Sequence, residues 1–189
     1  MIAREWDIAL SDPRCLTIRQ WQRLGVEPGV AFLRAGAVGV MDVEARPDGT
    51  WTPAEAGAGQ PMFVMPVLVR EGDPSTIVDL LAFHHRRPDR FYLRHGAATV
   101  AGEWALHDAR SAVAWEQDRP LYLFSNPLAW LQAGCDGAVL LDSDGLDELR
   151  DCGRVVANSL ALADWLDRRL RQPQMVPRLE VPDEARAAA

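Results

Sequence analysis

The alternation of short apolar runs and capped helices between residues 120 and 171 limits the fold more than any other feature. Leu121-Tyr122-Leu123-Phe124 reads as a short strand. Asn126-Pro127 behind it supplies an N-cap and then proline at the first helical position. The spacing predicts a helix over 128–133 that Gly134 ends. A continuous apolar run over 138–141 follows, as in strands covered on both faces. Residues 154–157 form a third strand, and Asn158 or Ser159 caps a last helix. Its Leu162, Leu166 and Leu170 share one stripe, with Arg168, Arg169 and Arg171 near the negative end. This β-α-β-(α)-β-α order favours a small, largely parallel sheet, because parallel strands need crossover connections.

The N-terminal half follows a different pattern. Thr17 can cap a helix over 18–24 that Gly25 stops. Residues 37–45 alternate, Arg46-Pro47-Asp48-Gly49 is a turn sequence, and Thr50-Trp51-Thr52 returns, which together make an antiparallel hairpin. Residues 62–69 suit a buried strand in which Pro66 implies an edge or a bulge. Over 77–83 periodicity leaves strand and short helix open, and the Gly/Ala/Pro-rich stretch 52–61 reads as a long surface loop. No polar linker divides the halves. The expected class is therefore α+β: a single domain over 1–172 with an antiparallel N-terminal part and a small β-α-β-α C-terminal part sharing one core, then an extended, partly disordered tail over 173–189.

With 48% hydrophobic and 25% charged residues, wholesale disorder is excluded. No apolar stretch reaches membrane-spanning length, and Cys15, Cys135 and Cys152 are odd in number and widely spaced. These features point to a cytoplasmic protein with reduced thiols, no disulfide framework and no membrane partner. There is no CxxC pair for zinc and no Gly-x-Ser-x-Gly elbow. Cys135, in a tight turn after Gly134, would be reactive only beside a histidine; otherwise it is a small buried side chain.

All 20 cationic residues are arginine. That excludes sites requiring a lysine of their own, such as a Walker loop or a Schiff base. The chain as a whole carries −7, yet residues 84–95 (His-His-Arg-Arg-Pro-Asp-Arg-Phe-Tyr-Leu-Arg-His) hold four arginines against one aspartate. Guanidinium groups bind phosphates in a forked geometry and interleaved rings stack on unpaired bases, so Arg86, Arg87, Arg90, Tyr92 and Arg94 are candidate anion or nucleic-acid contacts. The alternative is that these arginines pair with the protein's own surplus carboxylates while Phe91 and Leu93 anchor the segment. Adjacent His84 and His85 point to opposite faces if the strand continues through them, which prevents joint ligation of one metal.

Pro66-Val67-Leu68-Val69-Arg70-Glu71-Gly72 ends an apolar run in Glu-Gly, and Leu140-Leu141-Asp142-Ser143-Asp144-Gly145 ends another in Asp-x-Asp. This order resembles the Toprim (topoisomerase–primase) pattern. The resemblance implies magnesium-dependent nucleotidyl or phosphodiester chemistry, with Glu71 as the acid–base residue and Asp142 and Asp144 as Mg2+ ligands. Read without it, Asp142, Asp144 and Asp147 supply a turn and the acidic first turn of a short helix.

The run Asn126-Pro127-Leu128-Ala129-Trp130-Leu131-Gln132-Ala133-Gly134-Cys135-Asp136-Gly137, with the apolar strand after it, resembles uncharacterised proteins of prophages and integrated elements of GC-rich proteobacteria. That likeness implies no named activity, only an accessory role in replication or transfer. The leading expectation is thus a non-enzymatic interaction protein of a mobile genetic element. It needs no cofactor, and it acts on a protein partner, on a second copy of itself, or on nucleic acid through residues 84–95. The alternative is the Mg2+-dependent enzyme.

Overall fold

The computed structural model describes residues 2–69 and 76–171. Glu71 and the tail 173–189 lie outside the described residues. The fold is α+β and contains two sheets. The first is antiparallel, built from β1 (Gly39–Ala45), β2 (Trp51–Pro53), β3 (Gln60–Val69), β4 (Thr76–His84) and β5 (Arg87–Leu93), in the order β2-β1-β3-β4-β5. The expected hairpin is present. Gly49 takes a left-handed φ of 85°, and the Asp48 carboxylate accepts hydrogen bonds from the Thr50 amide (2.9 Å) and hydroxyl (2.7 Å).

Residues 76–84 are a strand, which settles the ambiguity at 77–83. The 52–61 stretch, expected as a long loop, is shorter. β2 runs to Pro53 and β3 starts at Gln60, and the loop between them is pinned to buried Asp42, whose carboxylate accepts from Gly57 N (2.9 Å) and whose carbonyl accepts from Ala54 N (2.9 Å). The Arg14 guanidinium, 2.8 Å from the other Asp42 oxygen, holds this carboxyl below its ordinary range.

Pro66 sits in the central strand, not in an outer one. It is tolerated there because β1 stops at Gly39 opposite Val64, so beyond Met65 only β4 pairs with β3. The register slips immediately afterwards, between Val67 and Leu68. β3 is buried on both faces. Met62 and Val64 enter one core with Trp51, Leu80 and Ala82, whereas Phe63, Met65 and Val67 enter another with Leu81 and Phe83. The sheet curls until its two ends touch: Leu93 N donates to Gly49 O (3.0 Å) and Trp51 Nε1 donates to Leu80 O (3.2 Å).

Helix α1 (Ile2–Leu10) closes the first core, fastened by Trp6 Nε1 to Ala37 O (3.1 Å) and by a fork of Arg94 on Glu5 (2.8 and 3.0 Å). Gly39 is what lets α1 lie so close, since a Cβ there would stand 2.4 Å from the Ala9 carbonyl carbon.

On the other face lie α2 (Ile18–Arg23), capped where the Gln20 carbonyl accepts from Thr17 N (2.8 Å), and α3 (Pro28–Ala35). The C-terminal half adds β6 (Val100–Ala101), α4 (Glu103–Ala109), α5 (Ala112–Glu116), β7 (Leu121–Phe124), α6 (Pro127–Gln132), β8 (Ala138–Leu140), α7 (Gly145–Leu149), β9 (Val155–Ala157) and α8 (Leu160–Leu170). β8, β7 and β9 are parallel, as the alternation requires, and β6 adds an antiparallel edge. Asn126 caps α6 (2.9 Å to Ala129 N) and Ser159 caps α8 (3.2 Å to Leu162 N). Asn158 instead accepts from Ser125 N at the end of β7 (3.0 Å).

The halves share a core. Trp21 of α2, Phe63 and Phe83 of the first sheet, Trp130 and Leu131 of α6 and Val139 of β8 form one cluster. Asp79, wholly buried, ties the connection between the halves to β4: its carboxylate accepts from Leu80 N (2.7 Å), His95 N (3.0 Å) and Ala97 N (2.8 Å). Replacing it removes the shared acceptor of three amides, and an ordinary hydrogen bond contributes about 1 kcal/mol net, so the three together contribute about 3 kcal/mol. Asp79→Ala is expected to destabilise the protein by about 3 kcal/mol, a fall in Tm of roughly 6–12 °C measured by circular dichroism.

Candidate functional site

The basic segment is the β4–β5 hairpin. Its two-residue turn, His85-Arg86, joins β4 to β5, and Pro88, Asp89 and Arg90 fall outside the pairing register between Phe91 and Arg87. Arg86, Arg87 and Arg90 are exposed, and among the described residues none of the three meets a carboxylate. Arg94, expected beside them, is instead committed. It is only 16% exposed, forked on Glu5, and lies 5.6 Å over the Trp51 ring. Tyr92 is half-buried against the α1 side of the sheet, opposite the face that carries Phe63. The acidic stretch of the C-terminal half takes other partners: Asp136 pairs with Arg34, Asp147 with Arg150 and Glu148 with Arg110.

The two histidines do not diverge. His84 ends β4 where the register slips, and the turn folds His85 back onto it, so the rings stack at 4.6 Å and 24°. Arg86 N donates to His84 Nδ1 (3.1 Å), which fixes the ring and leaves its proton on Nε2. The exposed His85 ring also lies 5.8 Å from Phe63. Beside it is a recess of 190 Å³ lined by Leu16, Gln20, Arg23, Leu24, Phe63 and His85, so α2 forms one wall and the hairpin the other. Leu16, Gln20, Arg23 and Phe63 were not legible as site residues, since only the tertiary fold carries α2 to the hairpin turn. The His-His pair was the one local signal.

Burial, and then the positive charges of His85, Arg86 and Arg87, push the His84 pKa below its ordinary 6.5. The folded protein holds that proton more weakly than the unfolded chain, so this group's contribution weakens the fold as pH falls below 6.5. In a histidine NMR titration, His84 is expected to have a midpoint below 6.5 that rises, without reaching the ordinary value, when Arg86 and Arg87 are replaced by alanine.

The carboxylate pair lies elsewhere. Asp142 follows β8 and its Oδ1 accepts from the Ser143 hydroxyl (2.9 Å) and Asp144 N (3.3 Å), which hold its pKa below the usual range. Asp144 precedes α7, whose first turn holds Asp147 and Glu148, the arrangement of a turn leading into an acidic helix start. Among the described residues no group of three or more histidine, cysteine or carboxylate side chains gathers as for a metal. A separate cleft of 330 Å³ is lined by residues including Pro66, Val67, Trp104, Trp130 and Arg34. Arg34 is engaged there on both sides, 4.8 Å over the Trp104 ring and 3.2 Å from Asp136.

Cys135 is buried and its thiol is pushed up to about 12 by that burial. Native-state alkylation at pH 8 is therefore expected to spare Cys135 and to modify it only after denaturation, which peptide mass spectrometry resolves. Compared with family models, curated proteins and solved structures, the chain has no significant match. Among the described residues no helix is long and apolar enough to cross a membrane.

Proposed function

We propose that the protein is a non-enzymatic interaction module that engages a polyanionic partner, nucleic acid, through the turn of the β4–β5 hairpin. One observation carries this reading. Eight of the other described arginines are ion-paired, whereas Arg86, Arg87 and Arg90 lie within five positions of one hairpin and, among the described residues, pair with no carboxylate. Concentrating like charge on an edge strand is unfavourable unless a partner supplies the opposite charge, and guanidinium forks match phosphate oxygens. The chain's overall −7 then restricts binding to this one face, since the rest of the surface repels a polyanion. Such a contact suits an accessory of a mobile element's replication or transfer, the role implied by the likeness of residues 126–137.

The test is fluorescence anisotropy with labelled oligonucleotides across a salt series. With three phosphate contacts, the logarithm of the affinity should fall against the logarithm of salt with a slope of about −2 for a single strand. Replacing Arg86, Arg87 and Arg90 together by alanine should abolish binding while leaving Tm unchanged. Undetectable binding of the unaltered protein at about 50 mM salt, where such contacts are strong, would remove nucleic acid as the partner.

A further inference from the structure

We propose that the recess between α2 and the hairpin turn receives one unpaired base, stacked on the His85 ring, so that the module reads single-stranded and not duplex nucleic acid; this rests on the function proposed above. The exposed imidazole of His85 offers one face, because the other is already backed by His84 at 4.6 Å. The backing ring is itself held by the Arg86 amide (3.1 Å), so the stacking surface is set before any ligand arrives and little ordering is needed on binding. Phe63, 5.8 Å away and tilted at 41°, forms the apolar floor.

The size of the recess limits what it can take. At 190 Å³ it is below the roughly 300 Å³ at which sites begin to enclose a drug-sized ligand, so it suits a single planar ring system and not a whole cofactor. A base reaches such a recess only if it has left the helical stack, which excludes an intact duplex. Polar groups stand where a nucleotide needs them. Arg23 lines the recess on its α2 wall, and exposed Arg86 and Arg87 follow His85 in the hairpin, so cations are near at hand for the adjoining phosphates. Gln20 has its carbonyl occupied by Thr17 N and the Thr17 hydroxyl (2.8 and 2.9 Å), which leaves its amide N–H groups to donate to a base edge.

The experiment compares four probes on the full chain: a single-stranded oligonucleotide, the matching duplex, the same single strand made abasic, and heparin. Each is titrated against the unaltered protein, His85→Ala and His85→Phe. Stacking of one base on an aromatic side chain is worth about 1–3 kcal/mol, so His85→Ala should weaken the single strand by roughly 5- to 150-fold. The same change should leave duplex, abasic strand and heparin as they were. His85→Phe, which keeps an aromatic ring and discards the imidazole nitrogens, should restore most of the lost affinity. Equal affinity for single strand, duplex and abasic strand overturns the base recess but keeps the anionic contact. So does a His85→Ala variant that binds the single strand normally. Failure of all four probes to bind overturns both readings. His85 is exposed at a turn, so its replacement leaves the core intact, and an unchanged Tm verifies this.

Discussion

β3 sends Met62 and Val64 into one core and Phe63, Met65 and Val67 into another, so two of the molecule's three cores meet on a single strand, the third lying among the C-terminal elements. Fully burying a large apolar side chain stabilises by about 1.5–3 kcal/mol, and five of them on one strand contribute roughly 8–15 kcal/mol. That is the size of a whole domain's net stability, so neither of those two cores stands without this strand. It also explains the strand's tolerance of Pro66. The ladder lost on one side is minor beside the burial on both, and the proline falls where β1 has already ended. The shared cluster then joins α6 and β8 to the same strand, which is why an antiparallel and a parallel sheet coexist without a linker.

Charge is distributed by a comparable division of labour. The Arg94–Glu5 fork is mostly buried and fixes the N-terminal helix to the strand end, whereas pairs such as Arg119–Asp108 and Arg154–Asp118 are solvent-exposed and contribute little. An all-arginine protein has long, forked cations everywhere, so position and not residue type separates the structural ones from those left for a partner. Among the described residues, the β4–β5 hairpin holds three arginines without an ion pair, Arg86, Arg87 and Arg90, within five positions.

What was legible in the chain was what is local. The caps at Asn126 and Ser159, the turn at 46–49 and the parallel order of the last three strands are each specified within a few residues. α3 carried its own signals, Pro28 at the start and Gly36 after the end, but in a segment too short for periodicity to stand out. The curl of the first sheet was hidden, because it rests on Trp51 reaching Leu80 and on Leu93 meeting Gly49, contacts across distant parts of the chain. The basic segment could be found by composition, yet its members could not be sorted: whether Arg94 is free or paired depends on Glu5, 89 residues away. The histidine pair was misjudged for a related reason. A two-fold strand pattern holds only while the register does, and here it slips between Phe83 and His84.

That same Arg94–Glu5 fork sets an order on the chain's assembly. α1 first meets β1, where Gly39 lies against Ala9, but the fork that fastens it to the sheet waits until Arg94 is made, 89 residues after Glu5. At about 5–20 residues per second that interval is roughly 4–20 seconds. The first element to be made is therefore among the last to be fastened, and for those seconds its hold on the sheet rests on the Trp6 bond and on apolar contacts, without the fork.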